Sequence, residues 1–116
     1  MTAGDVILVR FPFSDLPSEK KRPAILLATT KVSPKVQTIT LAMVTGKVDG
    51  LILSGDVRIE EWESAHLLHP SLVRLSKIAT IDVELIERRL GRLAPKDLKA
   101  TKVAFQKIYS FWCDRG

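Results

Sequence analysis

The chain has one cysteine and no long apolar run. Because Cys113 stands alone, no disulfide can form within the chain, which suits a reducing compartment. The longest apolar runs are far shorter than the roughly 18 residues that span a bilayer, and the start lacks a basic stretch followed by an apolar one. These absences predict a cytoplasmic protein without a signal peptide or a membrane segment.

Several motifs of known catalytic sites are also missing. The sequence contains no glycine-rich phosphate loop, no Walker-type sequence and no Ser-His-Asp pattern. His66 and His69 have the spacing of a metal pair on a helix, but Pro70 follows them and no third ligand has a defined spacing. We therefore expect no metal and no cofactor. A histidine is chemically suited to act as a general base, but the sequence identifies no partner for it.

The composition is that of a globular protein with a positive excess. The 116 residues are 46% hydrophobic and 27% charged, enough for a core without disulfides. The 18 basic and 13 acidic residues give a net charge of +5. This excess favours polyanionic partners such as RNA, DNA or an acidic protein segment, and it is equally compatible with a solvated surface. With no repeat, low-complexity tract or linker, we expect a single domain over residues 1–116.

The apolar pattern predicts short strands first and a good helix last. Strands are expected at about 5–11, 24–29, 36–44, 72–75 and 77–81, with a further hairpin arm over 51–59 and a helical turn or two over 60–68. Asp82 is placed to cap a helix over 83–90 that Gly91 ends. Apolar residues recur at helical spacing after Pro95, with the aromatic side chains near 109–112 in the core. The fold class is α+β, mostly β, with a small, partly open barrel and a closing helix.

A cationic cluster at Lys20, Lys21 and Arg22 is the first candidate site. Pro23 biases the preceding arginine toward extended backbone, and a guanidinium held there can bind a phosphate through two parallel hydrogen bonds. The alternative is an ion pair between Arg22 and Asp15 or Glu19 across the preceding polar loop.

Thr45 is the second candidate, since it ends an apolar strand just before Gly46. Its hydroxyl can donate to a phosphate oxygen, and the glycine lets a ligand approach the backbone closely. Threonine at the end of a strand is also common. The candidate RNA-binding residues are Arg10, Lys20, Lys21, Lys47, Arg74 and Lys77.

Three segments resemble the MazF/PemK toxins: residues 4–13, residues 21–27, and residues 70–74 leading into 77–82. The resemblance implies an SH3-like barrel, as in the CcdB and PemK proteins, that forms a homodimer. It also implies a metal-independent endoribonuclease in which the ribose 2′-hydroxyl of single-stranded RNA, such as mRNA, attacks the adjacent phosphorus. The products are a 2′,3′-cyclic phosphate and a 5′-hydroxyl. Arg22 and Thr45 match the family's catalytic residues, and a cognate antitoxin is expected to cover the groove at Arg22.

The chain departs from the resemblance at two positions. Ser76 stands where some relatives have an acid, and Ala79 stands where an arginine is often found, so the resemblance is also compatible with an attenuated enzyme. Arg74 fits as a secondary phosphate contact. Two other functions stay open at this point: a non-enzymatic, CcdB-like toxin that binds gyrase, and a barrel that binds nucleic acid or protein without catalysis.

Overall fold

The computed structural model describes residues 1–11, 20–110 and 112. Within them the elements are β1 (Asp5–Phe11), β2 (Lys20–Ser33), β3 (Val36–Thr45), β4 (Asp56–Ile59), β5 (Ser71–Asp82), a 3₁₀ turn (Val83–Leu85), β6 (Ile86–Arg92) and α1 (Pro95–Ile108). The strands form one antiparallel sheet in the order β4-β5-β3-β2-β1-β6. This confirms the predicted mostly β fold with a closing helix, and the sheet is open between β4 and β6.

Both faces of the sheet are covered. Val6 and Ile7 are neighbours on β1, point to opposite faces and are both fully buried. The cluster around Val6 packs against Leu98 and Ala104 of α1. The cluster around Ile7 is covered by the segment that contains the 3₁₀ turn. The two apolar faces predicted for the first strand are therefore satisfied within the chain.

The predicted helix over 83–90 is wrong. Asp82 does cap, since its Oδ1 accepts the backbone N–H of Glu84 at 2.9 Å, but only one 3₁₀ turn follows. The chain then pairs with the free edge of β1, with Ile86 opposite Val9. Pairing along β1 outweighs the local helical preference of the segment. Gly91 lies inside β6 instead of ending a helix.

β5 is one strand where two short strands were predicted. Its ladder with β3 pairs Ile78 with Ala42 and then Arg74 with Met43, so the register shifts between these pairs. The predicted break at Ser76 falls within this irregularity. A β-bulge of this kind bends a strand without ending it.

The closing helix begins at Pro95, as predicted. Asp97 in its first turn is buried and accepts the backbone N–H groups of Glu60 and Glu61 at 3.0 and 2.9 Å. These two bonds tie the start of α1 to the turn segment over 60–67, which lies between β4 and β5 in the chain. Trp112 was expected in the core but is 75% exposed, and Phe111 lies outside the described residues. None of the described helices has the length and apolar character needed to cross a membrane.

Candidate functional site

A cavity of about 620 Å³ opens at one end of the sheet. Its walls come from the middle of β1, the start of β2, the end of β3, the segment 66–69 and β6. The apolar lining residues include Leu8, Pro23, Val44, Leu67 and Leu90, and the polar ones are Lys21, Arg22, Thr45, Lys47, His66, His69, Ser71 and Arg88.

The strand register brings Arg22 and Thr45 to this cavity. The ladder between β2 and β3 ends with Ala24 opposite Met43, and two residues further along each strand stand Arg22 and Thr45. Both line the cavity. Two residues that are far apart in the sequence therefore lie at the same end of the sheet, as a shared phosphate site requires. Their catalytic role stays a prediction.

Arg22 is exposed, and no described carboxylate lies within ion-pair distance of it. The alternative partners, Asp15 and Glu19, lie outside the described residues. The described surroundings thus leave the Arg22 guanidinium available to an anion in the cavity.

Thr45 has a structural bond as well as a place in the lining. Its Oγ1 accepts the backbone N–H of Lys47 at 3.2 Å, which leaves the hydroxyl proton available to a ligand. The space beside Gly46, expected to admit a ligand, is filled by a histidine, since a Cβ at Gly46 would overlap the imidazole of His69. The glycine is therefore needed to seat His69 at the cavity.

The cavity is positively charged. Lys21, Arg22, Lys47 and Arg88 line it, and none of the described lining residues is an aspartate or a glutamate. A concave surface with charge of one sign focuses the field and raises the local concentration of anions. The arrangement favours a polyanion such as RNA over a cationic or neutral ligand.

Glu87, on β6, holds part of this cationic group in place. Lys21 Nζ donates to Glu87 Oε1 at 3.1 Å, and Arg10 Nε lies 3.5 Å from Glu87 Oε2. The hydrogen bond and charge of Lys21 lower the pKa of Glu87, with a smaller contribution from Arg10. Arg10 also donates to the carbonyl of Glu84 at 3.0 Å. The ionised Glu87 thus fixes Lys21 at the mouth of the cavity, and Arg10 is not among the lining residues.

Arg74 and Lys77, two other predicted RNA-binding residues, are not among the residues that line the cavity. Arg74 donates from Nε and Nη2 to the two carboxylate oxygens of Asp56, at 3.0 Å each, and from Nη2 to the carbonyl of Leu51 at 3.1 Å. Lys77 is exposed on β5. Lys20 begins β2, and its side chain lies outside the described part of the structure. Their contact with RNA stays a prediction.

Two site residues were missed or left without a partner. Arg88 was assigned to a helix, and only the pairing of Leu8 with Arg88 shows that it faces the same end of the sheet. His66 Nδ1 lies 2.7 Å from the carbonyl of Leu90, a backbone partner that no sequence motif signals. In the described part of the chain, no three His, Cys, Asp or Glu side chains cluster to hold a metal ion.

The chain matches the PemK-like, MazF-like toxins of type II toxin-antitoxin systems over residues 2–109. No curated protein matches it. Its fold is similar to that of the Mycobacterium tuberculosis toxin MazF-mt6, with a TM-score of 0.66 and 24% identity over 91% of this chain and 96% of that chain. It is also similar to a mycobacterial endoribonuclease solved in complex with its cognate antitoxin, with a TM-score of 0.70 and 13% identity over 93% of each chain. Because the family match extends over nearly the whole sequence, the chain belongs to the PemK/MazF-like toxins of type II toxin-antitoxin systems.

Proposed function

We propose that the protein is a metal-independent endoribonuclease that cuts single-stranded RNA, mRNA among its substrates, and that a cognate antitoxin inhibits it. One observation carries the proposal: Arg22 and Thr45 line the same cavity, together with Lys21, Lys47 and Arg88. Cations and hydroxyl donors around a cavity without a described acidic lining residue suit a phosphodiester.

In the proposed reaction, the ribose 2′ oxygen attacks the adjacent phosphorus and the 5′ oxygen leaves. Negative charge builds on the non-bridging oxygens in the transition state. The Arg22 guanidinium stabilises this charge through charge-assisted hydrogen bonds, and the Thr45 hydroxyl donates to the same phosphate. Lys47 and Arg88 bind flanking phosphates. The products are a 2′,3′-cyclic phosphate and a 5′-hydroxyl.

The cavity lining supports a single-stranded substrate. Leu8, Pro23 and Leu90 provide apolar surface beside the cations. An unstacked base can lie on such a surface, whereas the bases of a duplex are held in the stack. The side chains around the phosphate and the base together would set the sequence preference.

The proposed antitoxin presents an acidic or amphipathic segment to the cavity. The positive lining supports this choice. The similar mycobacterial endoribonuclease was solved with its cognate antitoxin, which is consistent with this mode of control. We also propose that the protein is a homodimer in the cytoplasm. The side chains of Leu51 and Trp112 are apolar and 78% and 75% exposed, which supports an interface with a second copy of the chain.

The test is cleavage of a long unstructured RNA in EDTA. Wild-type protein is compared with Arg22→Ala and with Arg58→Ala, a matched arginine on β4 outside the cavity lining. We expect discrete cuts with cyclic phosphate ends from the wild type and from Arg58→Ala, and few from Arg22→Ala. Intact RNA with folded wild-type protein would overturn the proposal and make the gyrase-binding alternative the next experiment.

A further inference from the structure

His66 is the one non-glycine residue of the described chain with a positive φ, at 62°. Such a backbone is uncommon for a residue with a Cβ, and where it occurs the surrounding structure must hold it. His66 is exposed at the cavity, which it lines together with Arg22 and Thr45.

The ring of His66 is held in one tautomer. Its Nδ1 lies 2.7 Å from the carbonyl oxygen of Leu90. Because a carbonyl oxygen only accepts, Nδ1 carries the proton of this bond. In the neutral ring, the lone pair is therefore on Nε2, the nitrogen that the Leu90 bond leaves available.

Close packing fixes the position of the ring. A Cβ at Gly91 would lie 2.9 Å from His66 Nδ1 and 2.7 Å from the carbonyl of Ala65. The turn segment over 60–67 can therefore approach β6 this closely only because residue 91 is glycine. The Ala65 side chain is fully buried, and its backbone N–H donates to Glu61 at 3.3 Å. The Leu67 N–H donates to the carbonyl of Trp62 at 3.0 Å. A base that is held in place before the substrate binds needs no reorganisation in the reaction.

The other lining residues are poor proton acceptors. Arg22, Arg88, Lys21 and Lys47 present only N–H donors, because guanidinium and ammonium groups have no acceptor lone pair. The remaining candidate is His69, which packs against Gly46. No described hydrogen bond fixes the tautomer of the His69 ring, in contrast to the bond between His66 and Leu90.

We propose that His66 is the general base of the RNA cleavage, an inference that rests on the proposed endoribonuclease function. His66 Nε2 takes the proton of the ribose 2′-hydroxyl while the bond between the 2′ oxygen and phosphorus forms. The bond between phosphorus and the 5′ oxygen breaks, and the departing oxygen takes a proton from water. His66 returns its proton to solvent after the product leaves.

The test uses His66→Gly and His66→Asn, two residues that tolerate the left-handed backbone, so the protein stays folded. The matched control is Glu63→Gln, on the same loop, which keeps the backbone carbonyl that accepts the His66 N–H at 3.0 Å. Initial rates are measured on a defined RNA across pH 4–9. The groups that line the cavity with His66 and titrate or carry charge are Lys21, Arg22, Lys47, His69 and Arg88.

We expect kcat to fall roughly 10²- to 10⁴-fold in both His66 variants, the usual range for loss of a general base, with KM little changed. The acidic limb of the pH–rate profile disappears in these variants and remains in Glu63→Gln. Free imidazole restores cleavage to His66→Gly, because it can enter the space of the missing ring. A purely structural role would not produce this rescue.

Full activity of both variants, an unchanged acidic limb, or loss of activity in His69→Asn alone would overturn the assignment while the wild type still cuts RNA. If the folded wild type cuts no RNA, the proposed function fails and the assignment fails with it. The wild-type control thus separates the two failures.

Discussion

The cations of the chain fall into two groups with different surroundings. Arg22, Lys47 and Arg88 line the cavity, where no described lining residue is acidic. Arg74 instead donates two hydrogen bonds to the carboxylate of Asp56, whose side chain is completely buried. The chemical groups are alike, so the difference lies in whether a buried carboxylate faces them. A buried carboxylate must be paired to remain charged, and its partner then has a structural role.

A second structural pairing joins the chain's start to β6. Asp5 is 3% exposed, and it accepts from the Thr2 backbone at 2.9 Å. Arg92 Nη1 lies 3.1 Å from Asp5 Oδ1, and Arg89 Nε lies 3.3 Å from Oδ2. Burial alone would raise the pKa of Asp5, but the bonds from Thr2, Arg89 and Arg92 lower it. Arginines with a buried acid partner thus stabilise the sheet, whereas the arginines of the cavity, where no described lining residue is acidic, are available to an anion.

The largest loss of activity is expected for Arg22→Ala. We expect kcat to fall roughly 10²- to 10³-fold, as on removal of a transition-state donor, with no loss of thermal stability. Arg22→Lys should recover only part of the rate, since an ammonium cannot bind a phosphate through two parallel bonds. Single-turnover cleavage and thermal melts measure the two effects. An equal loss of rate in Arg58→Ala would place the effect outside the cavity.

The reverse pattern is expected for Arg74→Ala. It leaves the Asp56 carboxylate buried without its guanidinium partner, and Arg74 itself is only 17% exposed. Removing the guanidinium therefore lowers the unfolding free energy, because the Asp56 carboxylate loses its partner, and urea titration measures the loss. The same variant tests the predicted RNA contact of Arg74. A loss of RNA affinity at unchanged stability would move Arg74 into the substrate-binding group.

The local patterns of the sequence predicted the elements that depend on local interactions. β1 and α1 were found because apolar residues alternate or recur at helical spacing there, with Pro95 at the helix start. β6 was missed because its strand conformation comes from pairing with β1, which no local window contains. Arg88 was missed with it.

The candidate site was predicted only where side-chain type carries the signal. Residue type and position made Arg22 and Thr45 candidates for binding a phosphate, and the resemblance implied their catalytic role. The ladder between β2 and β3 places both at the same end of the sheet. The sequence gives no sign that Gly46 seats His69 or that Gly91 admits the ring of His66. These are close approaches between elements, and they become visible only once the sheet is assembled.

Because their pKa values are lowered in the folded state, the buried carboxylates of Asp5 and Asp56 should make the free energy of unfolding fall at acidic pH. Burial would raise the pKa of Asp56, but hydrogen bonds from Arg74 and the Leu53 N–H lower it below its usual range. The folded state therefore binds this proton less tightly than the unfolded state. The contribution of Asp56 is complete above the unfolded pKa of about 3.9 and is lost as pH falls through the folded one.

We therefore expect the unfolding free energy of the wild type to drop below about pH 4 more steeply than that of Asp56→Asn, which starts lower at neutral pH. Urea titrations from pH 7 to pH 3 measure the two slopes. Asp5→Asn should flatten the same region, since the pKa of Asp5 is also lowered. Parallel curves for wild type and both variants would show that the pairs add no pH-dependent stability.

The smallest effect concerns Lys47, a cation of the cavity group whose backbone and side chain act separately. Its N–H holds Thr45 Oγ1 at 3.2 Å, and Lys47→Ala keeps this bond while removing the charge. Binding is measured against salt concentration with an RNA whose 2′-hydroxyl at the cleavage site is replaced by hydrogen. The slope of log K against log salt should decrease in magnitude by about 0.7, the value for one phosphate contact on a single strand.

Lys99→Ala, on the exposed side of α1, is the matched control. If Lys77→Ala changes the slope and Lys47→Ala does not, the RNA follows β5 instead of the cavity, and the division between the two groups of cations would have to be redrawn.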